Sequence, residues 1–262
     1  MPFVRANDIE IYYEVHGEGV PIVCVGGLGT DISLWKDYIK PLSKDYKVIL
    51  FDNRGGGQTE APEIPYSIEM MAEDIVALLE ALHIPSAHFI GHSMGGAIVM
   101  QLCIQHRDKV RKAVIAGSFA KLPETARLQT LANRKLFDAG TPAEIMLESR
   151  LPWLYSNDFL SDPENIKKTI HKRLHSPFPQ SPAGYYGQMD ALLSLDLSKD
   201  LNKIEAKTLI IAGDEDLFTP HTHHFLMKQI PDAKLAMIKH QGHLFNLEKP
   251  DECIQLIRDF FH

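Results

Sequence analysis

The chain has 262 residues, of which 45% are hydrophobic and 23% charged, a composition typical of a globular protein with a sizeable core. Its formal net charge of −7 argues against a general nucleic-acid-binding protein, because such a protein needs a basic face to hold phosphates. No stretch approaches the ~18 apolar residues of a membrane span, and the amino-terminal residues lack the apolar segment of a signal peptide.

The three cysteines, Cys24, Cys103 and Cys253, are widely spaced within apolar segments. An odd number of dispersed cysteines predicts reduced core thiols, and neither a disulfide framework nor a metal site. We therefore expect a cytoplasmic protein.

Predicted strands and helices alternate in the amino-terminal half. Phe3–Arg5 and Ile9–Val15 alternate apolar and polar residues, as an antiparallel edge does. Continuous apolar runs, typical of parallel strands buried on both faces, follow at residues 21–25, 46–51, 87–90 and 110–116. Helices are predicted between them at residues 33–43, 67–82 and 93–106. This order implies right-handed crossovers and a mostly parallel sheet covered on both faces.

The alternation of strands and helices stops between residues 119 and 195, where several helices and no strand are predicted. Two of the helices are expected to begin at capping boxes, Thr141–Glu144 and Ser161–Glu164, each with proline at the first helical position. Most of the segment's aromatic residues should form its own core, and some should face the sheet and line a pocket. We interpret residues 119–195 as a helical cap on a core formed by residues 1–118 and 196–262.

The sheet resumes after this segment. Strands are predicted at residues 207–212 and 234–238, with a helix from Thr219 and Pro220 to about Ile230 between them. An amphipathic helix over Pro250–Phe261 closes the chain. The sequence thus predicts an α/β fold with a mostly parallel sheet of about eight strands, flanked by helices and capped after the sixth strand.

The strand at residues 87–90 runs into a Gly-x-Ser-x-Gly sequence centred on Ser93. Between a strand and a helix this pattern is typical of a nucleophile elbow, a sharp turn that presents the serine hydroxyl above the sheet. Gly91 and Gly95 fit such a turn because side chains there would collide with the neighbouring strand and helix. The alternative is a glycine-rich turn whose serine has no catalytic role. The presence or absence of the other catalytic groups distinguishes the two interpretations.

A serine nucleophile needs a base, an acid that orients the base, and donors for the oxyanion. Candidates for the acid and the base follow the last two strands: Asp214, Glu215, Asp216, His240 and His243. The chain order of serine, acid and histidine is that of α/β-hydrolases.

Five motifs strengthen this interpretation. They are Gly26-Gly27-Leu28-Gly29, Asp52-Asn53-Arg54-Gly55-Gly56-Gly57, Gly91-His92-Ser93-Met94-Gly95-Gly96, Gly213-Asp214-Glu215-Asp216 with Pro220, and Gly242-His243 with Glu248 and Pro250. On these motifs the chain resembles the α/β-hydrolase superfamily over essentially its whole length. It is most similar to small capped esterases and lactonases, the branch of 3-oxoadipate enol-lactonase and aminoacrylate hydrolase. The motifs say little about the substrate.

The resemblance implies a role for individual residues. It places the triad acid at Asp216 and the base at His243, beside the nucleophile Ser93. It also implies an oxyanion hole formed by the backbone N–H groups of Leu28 and Met94.

Many members of the family have a histidine where this chain has Gly26, which leaves the anchoring of the oxyanion loop open. We expect the substrate to contact Gly27, His92, Trp153, Phe218 and Leu244.

No cofactor or metal is expected. His221, His223 and His224 lack a closing carboxylate or cysteine, and the reaction needs no metal. The glycine-rich loop at residues 52–59 lacks the Gly-Lys-Ser/Thr ending of a phosphate-binding loop.

The leading hypothesis is a serine hydrolase that cleaves a small to medium carboxylic ester, thioester or lactone through an acyl-enzyme. An enzyme like 3-oxoadipate enol-lactonase and one like a pimeloyl-carrier-protein methyl esterase are the alternatives. Amidase, carbon–carbon hydrolase and perhydrolase activities use the same triad and stay open. A non-catalytic ligand receptor is disfavoured because all three triad positions are filled.

The predicted cap is the least acidic part of the chain. From residue 121 to residue 195 it has nine basic and eight acidic residues, in a chain whose net charge is −7. Basic side chains concentrate on one helix: Lys167, Lys168, His171, Lys172 and Arg173. They form either a solvated helix face or a landing site for an acidic partner, such as a carboxylate-bearing lactone or an acyl carrier protein. The oligomeric state is not indicated.

Overall fold

The fold is built on a single eight-stranded sheet. The computed structural model describes residues 2–262. The strands are β1 (Phe3–Ala6), β2 (Ile9–His16), β3 (Val20–Val25), β4 (Tyr46–Phe51), β5 (Ala87–His92), β6 (Val110–Ala116), β7 (Lys207–Gly213) and β8 (Ala233–Ile238). They lie in the order β1-β2-β4-β3-β5-β6-β7-β8. β2 pairs antiparallel with β1 and β4, and the remaining neighbours are parallel. The predicted mostly parallel sheet is confirmed.

Twelve helices accompany the sheet. They are α1 (Lys36–Leu42), α2 (Ile68–Ala81), α3 (Met94–Gln105), α4 (Glu124–Asp138), α5 (Ala143–Glu148), α6 (Leu151–Leu154), α7 (Asn157–Leu160), α8 (Pro163–Leu174), α9 (Pro182–Ser194), α10 (Thr222–Gln229), α11 (Phe245–Glu248) and α12 (Pro250–Phe261). Because side chains alternate along a strand, β3 buries Val23 against the face covered by α2 and α3. Its neighbours Ile22 and Cys24 pack on the opposite face, which α1 and α12 cover.

Six helices, α4 to α9, lie between β6 and β7, and we call residues 119–195 the insert. The first of the two predicted capping boxes is absent, and the second helix begins at Pro163 as predicted but has another cap. α5 begins after Pro142 with no side-chain cap, and the Thr141 N–H donates to Leu136 O at the end of α4. α8 is capped by Asp162, since the Ser161 hydroxyl bonds to Asp158 O at 2.7 Å and closes α7.

Two further helix starts differ from prediction. The helix predicted from residue 33 is divided into a 3₁₀ turn, Ile32–Trp35, capped by Asp31, and α1. α10 begins at Thr222 and not at Thr219, because His221 has a left-handed φ of 61° and Thr219 is engaged with a carboxylate described below.

The three cysteines are buried and unpaired by disulfides. Within residues 2–262, no helix combines the length and the apolar character that crossing a membrane requires.

Candidate active site

The sheet brings the predicted catalytic residues together at one edge. Ser93 follows β5, Asp216 follows β7 and His243 follows β8, so each side chain comes from the carboxyl end of a parallel strand. In open α/β sheets this edge carries the ligand site.

Ser93 occupies a strained turn. Its φ of 56° and ψ of −120° lie in a region that non-glycine residues rarely adopt, directly before α3. The Ser93 N–H donates to Ala116 O at 2.9 Å, and the Ser118 hydroxyl donates to Ser93 O at 2.7 Å. A Cβ at Gly95 would lie 2.1 Å from Val25 O, so only glycine lets α3 approach β3 this closely.

Two hydrogen bonds join the three side chains. His243 Nδ1 lies 2.8 Å from Asp216 Oδ2, and His243 Nε2 lies 2.9 Å from Ser93 Oγ. An ionised carboxylate only accepts hydrogen bonds, so Nδ1 carries the proton and Nε2 is left to accept from the serine hydroxyl. This is the arrangement in which an imidazole can remove the hydroxyl proton.

Asp216 is buried, and its carboxylate is fully engaged. Oδ1 accepts the N–H groups of Phe218 and Thr219, each at 2.8 Å, and Oδ2 accepts the Thr219 hydroxyl at 2.5 Å. Burial raises the pKa of Asp216, but the neighbouring His243 and these donors outweigh it and hold the pKa below its usual value. Asp216 therefore stays ionised as the partner of His243.

His92, beside the elbow, is buried and neutral. Burial, with a contribution from His243, lowers the pKa of His92 to about 3. Its Nε2 lies 3.0 Å from His243 O, which can only accept, so Nε2 carries the hydrogen. His92 thus holds the backbone of the residue that contacts Ser93.

The predicted oxyanion loop lies against the serine. A Cβ at Gly27 would be 3.2 Å from Ser93 Cβ, which places the loop directly over the elbow. Among the described residues, no hydrogen-bond acceptor engages the N–H of Leu28 or of Met94. Both donors therefore remain available to a ligand.

This loop is anchored without a histidine at position 26. Asn53 Nδ2 donates to Gly26 O at 2.8 Å, and the Thr30 hydroxyl donates to Gly27 O at 3.0 Å. Gln188, from α9 in the insert, accepts the Gly29 N–H at 2.9 Å. The core and the insert hold the loop together.

Gln188 is a functional candidate that the sequence prediction missed. It is fully buried, and its Nε2 donates to Arg54 O at 2.8 Å. It also accepts from Gln180 Nε2 at 2.9 Å. Its position on the buried face of α9, between Tyr185 and Leu192, is the signal that could have identified it, because a polar group there needs buried partners.

A cavity of about 100 Å³ opens above Ser93 and His243. All five residues predicted to contact the substrate line it: Gly27, His92, Trp153, Phe218 and Leu244. Leu28 also lines it, whereas Met94 is buried beneath the elbow and can contribute only its N–H.

Several polar residues of the insert also line the cavity and were not predicted. They are Gln129, Thr130, Asn133, Arg150, Arg173 and Tyr185. Thr130 and Asn133 are two of the three buried residues of α4, so this helix face is mostly polar and gave no apolar pattern from which to predict them.

The insert also contacts the loop that carries His243. The Leu244 N–H donates to Leu154 O at 2.8 Å. The carboxylate of Glu248 accepts the Ser156 N–H at 3.1 Å and the Ser156 hydroxyl at 2.5 Å. A Cβ at Gly242 would lie 2.6 Å from the Tyr155 carbonyl carbon, so glycine permits this close approach.

Of the remaining polar candidates, only Arg173 lines the cavity. His240 is exposed, 3.7 Å from Glu215. His221, His223 and His224 cluster at the start of α10, and residues 2–262 contain no group of three potential ligands arranged to hold a metal ion. Of the five basic residues on α8, all are exposed and only Arg173 reaches the cavity.

Comparison with known proteins agrees with this architecture. The family model described as the alpha/beta hydrolase fold matches residues 20–250. The chain is 30% identical over 251 residues to 3-oxoadipate enol-lactonase 2 of Acinetobacter baylyi, covering 94% of this chain and 91% of that protein. It is 27% identical to RutD of Azorhizobium caulinodans, to which carbamate hydrolase activity is provisionally attributed, over 99% of this chain and 98% of that protein.

A solved enol-lactonase of Burkholderia xenovorans LB400 superposes with a TM-score of 0.88 at 28% identity, covering 99% of both chains. The predicted fold and family are confirmed. The chain belongs to the α/β-hydrolase fold family and is a hydrolase.

Proposed function

We propose that the protein is a serine hydrolase that cleaves a small to medium carboxylic ester or lactone through an acyl-enzyme. The observation that carries the proposal is the pair of hydrogen bonds from Asp216 through His243 to Ser93, with Ser93 held in the strained elbow. A strained nucleophile beside an oriented base is the arrangement that acyl transfer requires.

In the first half of the reaction, Ser93 Oγ attacks the carbonyl carbon and its proton passes to His243 Nε2. The N–H groups of Leu28 and Met94 stabilise the resulting oxyanion, and Asp216 stabilises the imidazolium. The intermediate collapses when the carbon–oxygen bond to the leaving group breaks and His243 gives that oxygen its proton. With a lactone the leaving oxygen remains attached to the acyl chain.

In the second half, water attacks the Ser93 ester and His243 Nε2 takes its proton. Breakdown of this intermediate returns the proton to Ser93 Oγ and releases the carboxylic acid. The cycle consumes one water and needs no metal or cofactor.

The names of the relatives are consistent with more than one kind of leaving group. Two of those described above are named enol-lactonases, and a third carries a provisional carbamate hydrolase name. Thioester, amide and carbon–carbon bond cleavage would use the same three residues. Delivery of the substrate on an acyl carrier protein stays a prediction based on the exposed basic side chains of α8.

Hydrolysis of p-nitrophenyl esters of rising acyl length tests the proposal. We expect Ser93→Ala to lower kcat by about 10⁴-fold or more, and Asp216→Asn by about 10⁴-fold, because each breaks the chain of hydrogen bonds that joins Asp216, His243 and Ser93. Mass spectrometry of a slowly hydrolysed ester should show an acyl group on wild type and none on Ser93→Ala.

Ser118→Ala is the matched control, since it removes a buried hydroxyl beside the elbow and leaves the side chains of Ser93, His243 and Asp216 unchanged. It should retain kcat within about tenfold, which corresponds to the loss of one neutral hydrogen bond. Full activity of Ser93→Ala would show that Ser93 is not the nucleophile.

A further inference from the structure

A second space, the insert chamber, lies beside the catalytic cavity, between the insert and the core loops at residues 28–31 and 57. This insert chamber has a volume of about 390 Å³ and lies among α5, α8 and the loop at residues 176–180. Its own walls include the apolar side chains of Met146, Leu147 and Ile170. The two spaces share wall residues, among them Leu28, Leu154 and Leu244, so they are adjacent.

Arg150 stands at the boundary between the two spaces. It lines both, and its side chain is half-buried. Arg150 Nη2 donates to the Tyr185 hydroxyl at 2.9 Å, and the guanidinium lies 5.5 Å from the centre of the Tyr185 ring. Within residues 2–262 no carboxylate lies within 4.0 Å of it. A half-buried cation with only a neutral partner is costly unless an anion joins it.

Arg173 is the second cation on the same boundary. It lies on the last turn of α8 and also lines both spaces. Its Nη1 donates to Gly29 O at 3.3 Å, and among the described residues it forms no salt bridge. By contrast, Arg134 of the same insert is paired with Asp190 at 2.7 Å and is absent from both walls.

A buried amide in the catalytic cavity also lacks a partner. Asn133 is only 6% exposed and lines the cavity, yet among the described residues its side-chain oxygen has no hydrogen-bond partner. Gln129, one helical turn earlier on α4, lines the same wall. This amide oxygen can only accept, so it is open to a donor group of a substrate or to water.

We propose that Arg150 and Arg173 form an anion subsite that selects esters or lactones carrying a carboxylate some bonds away from the scissile carbonyl. The chain between the scissile carbonyl and the carboxylate lies in the catalytic cavity, which Ser93, Arg150 and Arg173 all line. The reason is charge and geometry: two guanidinium groups without carboxylate partners line the same cavity as Ser93, and no carboxylate is among the described residues of that cavity's wall. Guanidinium groups bind carboxylates by parallel charge-assisted hydrogen bonds, which gives orientation as well as affinity. This inference rests on the proposed function and names its substrate class.

Two esters with the same number of acyl carbons provide the test, mono-p-nitrophenyl adipate and p-nitrophenyl hexanoate. They differ only in a terminal carboxylate in place of a methyl group. We expect wild type to prefer the adipate ester in kcat/KM. Arg150→Met should lower kcat/KM for that ester by about 10- to 100-fold, the range for losing a hydrogen bond to a charged group, and change the hexanoate ester by less than about threefold.

Arg150→Lys keeps the charge and should retain part of the preference for the adipate ester. Arg173→Met should lower this preference less than Arg150→Met does, because Arg173 is exposed. Arg134→Met is the control and should leave the ratio of the two esters unchanged, since Arg134 lies outside both walls. Circular dichroism and thermal unfolding confirm that each variant is folded.

An equal loss on both esters in Arg150→Met, or a wild-type preference for hexanoate, would overturn the anion subsite while leaving the serine mechanism intact. If wild type hydrolyses neither ester, the binding of adipate is measured by isothermal titration calorimetry instead. Binding to wild type and to Ser93→Ala that is lost in Arg150→Met would support the subsite, and no binding to wild type would refute it.

Discussion

Replacing Gln188 with methionine tests whether the insert holds the oxyanion loop. Methionine has a similar length and removes both polar groups. The change leaves the Gly29 N–H and the Arg54 carbonyl without their partner, whereas Gln180 keeps its bond to Gly55 O. The buried Arg54 carbonyl left unpaired costs about 1–3 kcal/mol and the half-buried Gly29 N–H less, so the free energy of unfolding should fall by about 1–4 kcal/mol.

The same substitution should affect catalysis. Losing an oxyanion donor costs ~10²–10³ in kcat, and here Leu28 loses only the support of its neighbour Gly29, so we expect a fall of about tenfold. Gln188→Glu keeps an acceptor for the Gly29 N–H and should retain kcat within about threefold. Urea unfolding and kcat on a saturating p-nitrophenyl ester measure the two effects.

Gln105→Met is the matched control, because Gln105 makes one exposed hydrogen bond to Glu69. It should change the free energy of unfolding by less than about 0.5 kcal/mol. If Gln188→Met behaved like this control in both assays, the loop would not depend on the insert and our reasoning would be refuted.

Two further substitutions test the turn itself. His92 is buried with a pKa near 3, so below pH 6.5 the unfolded chain binds a proton that the folded protein does not, and stability is lost as the pH falls. The unfolding free energy of wild type relative to His92→Gln should therefore decrease by about 2 kcal/mol between pH 6.5 and pH 5, measured with urea; a constant difference would contradict this. Gly95→Ala forces a Cβ against Val25 O and should cost about 1–3 kcal/mol and lower kcat. Gly140→Ala, where a Cβ meets nothing within 4 Å, should cost about 1 kcal/mol for its positive φ and leave kcat unchanged, so equal kcat in the two variants would argue against a role for close packing at the elbow.

The sheet and the elbow were predictable because their signals are local. A parallel strand buried on both faces must be continuously apolar, as residues 22–25 and 48–51 are. Gly91 and Gly95 flank Ser93 because the backbone around the turn leaves no room for side chains. These constraints act within a few residues and are therefore visible in the sequence.

The start of α10 and the cavity wall were not predictable in the same way. Thr219 has the appearance of a helix cap in sequence, but its hydroxyl and N–H bind Asp216 three residues earlier, and the sequence does not show which of the two roles the threonine takes. Arg150 and Asn133 line the same cavity although they come from different parts of the insert. Their common position depends on helix packing, which a pattern of apolar residues does not specify.

The bonds from Ser156 to Glu248 and from Leu154 to Leu244 bear on how this enzyme can be re-engineered. An insert taken from a relative and joined at residues 119 and 195 would bring its own counterparts of these residues, while the loop carrying His243 would remain that of the recipient. A mismatch would displace the base even though every triad residue was retained. The graft must therefore include Glu248 and the glycine at position 242, and the unit of exchange is larger than the inserted segment.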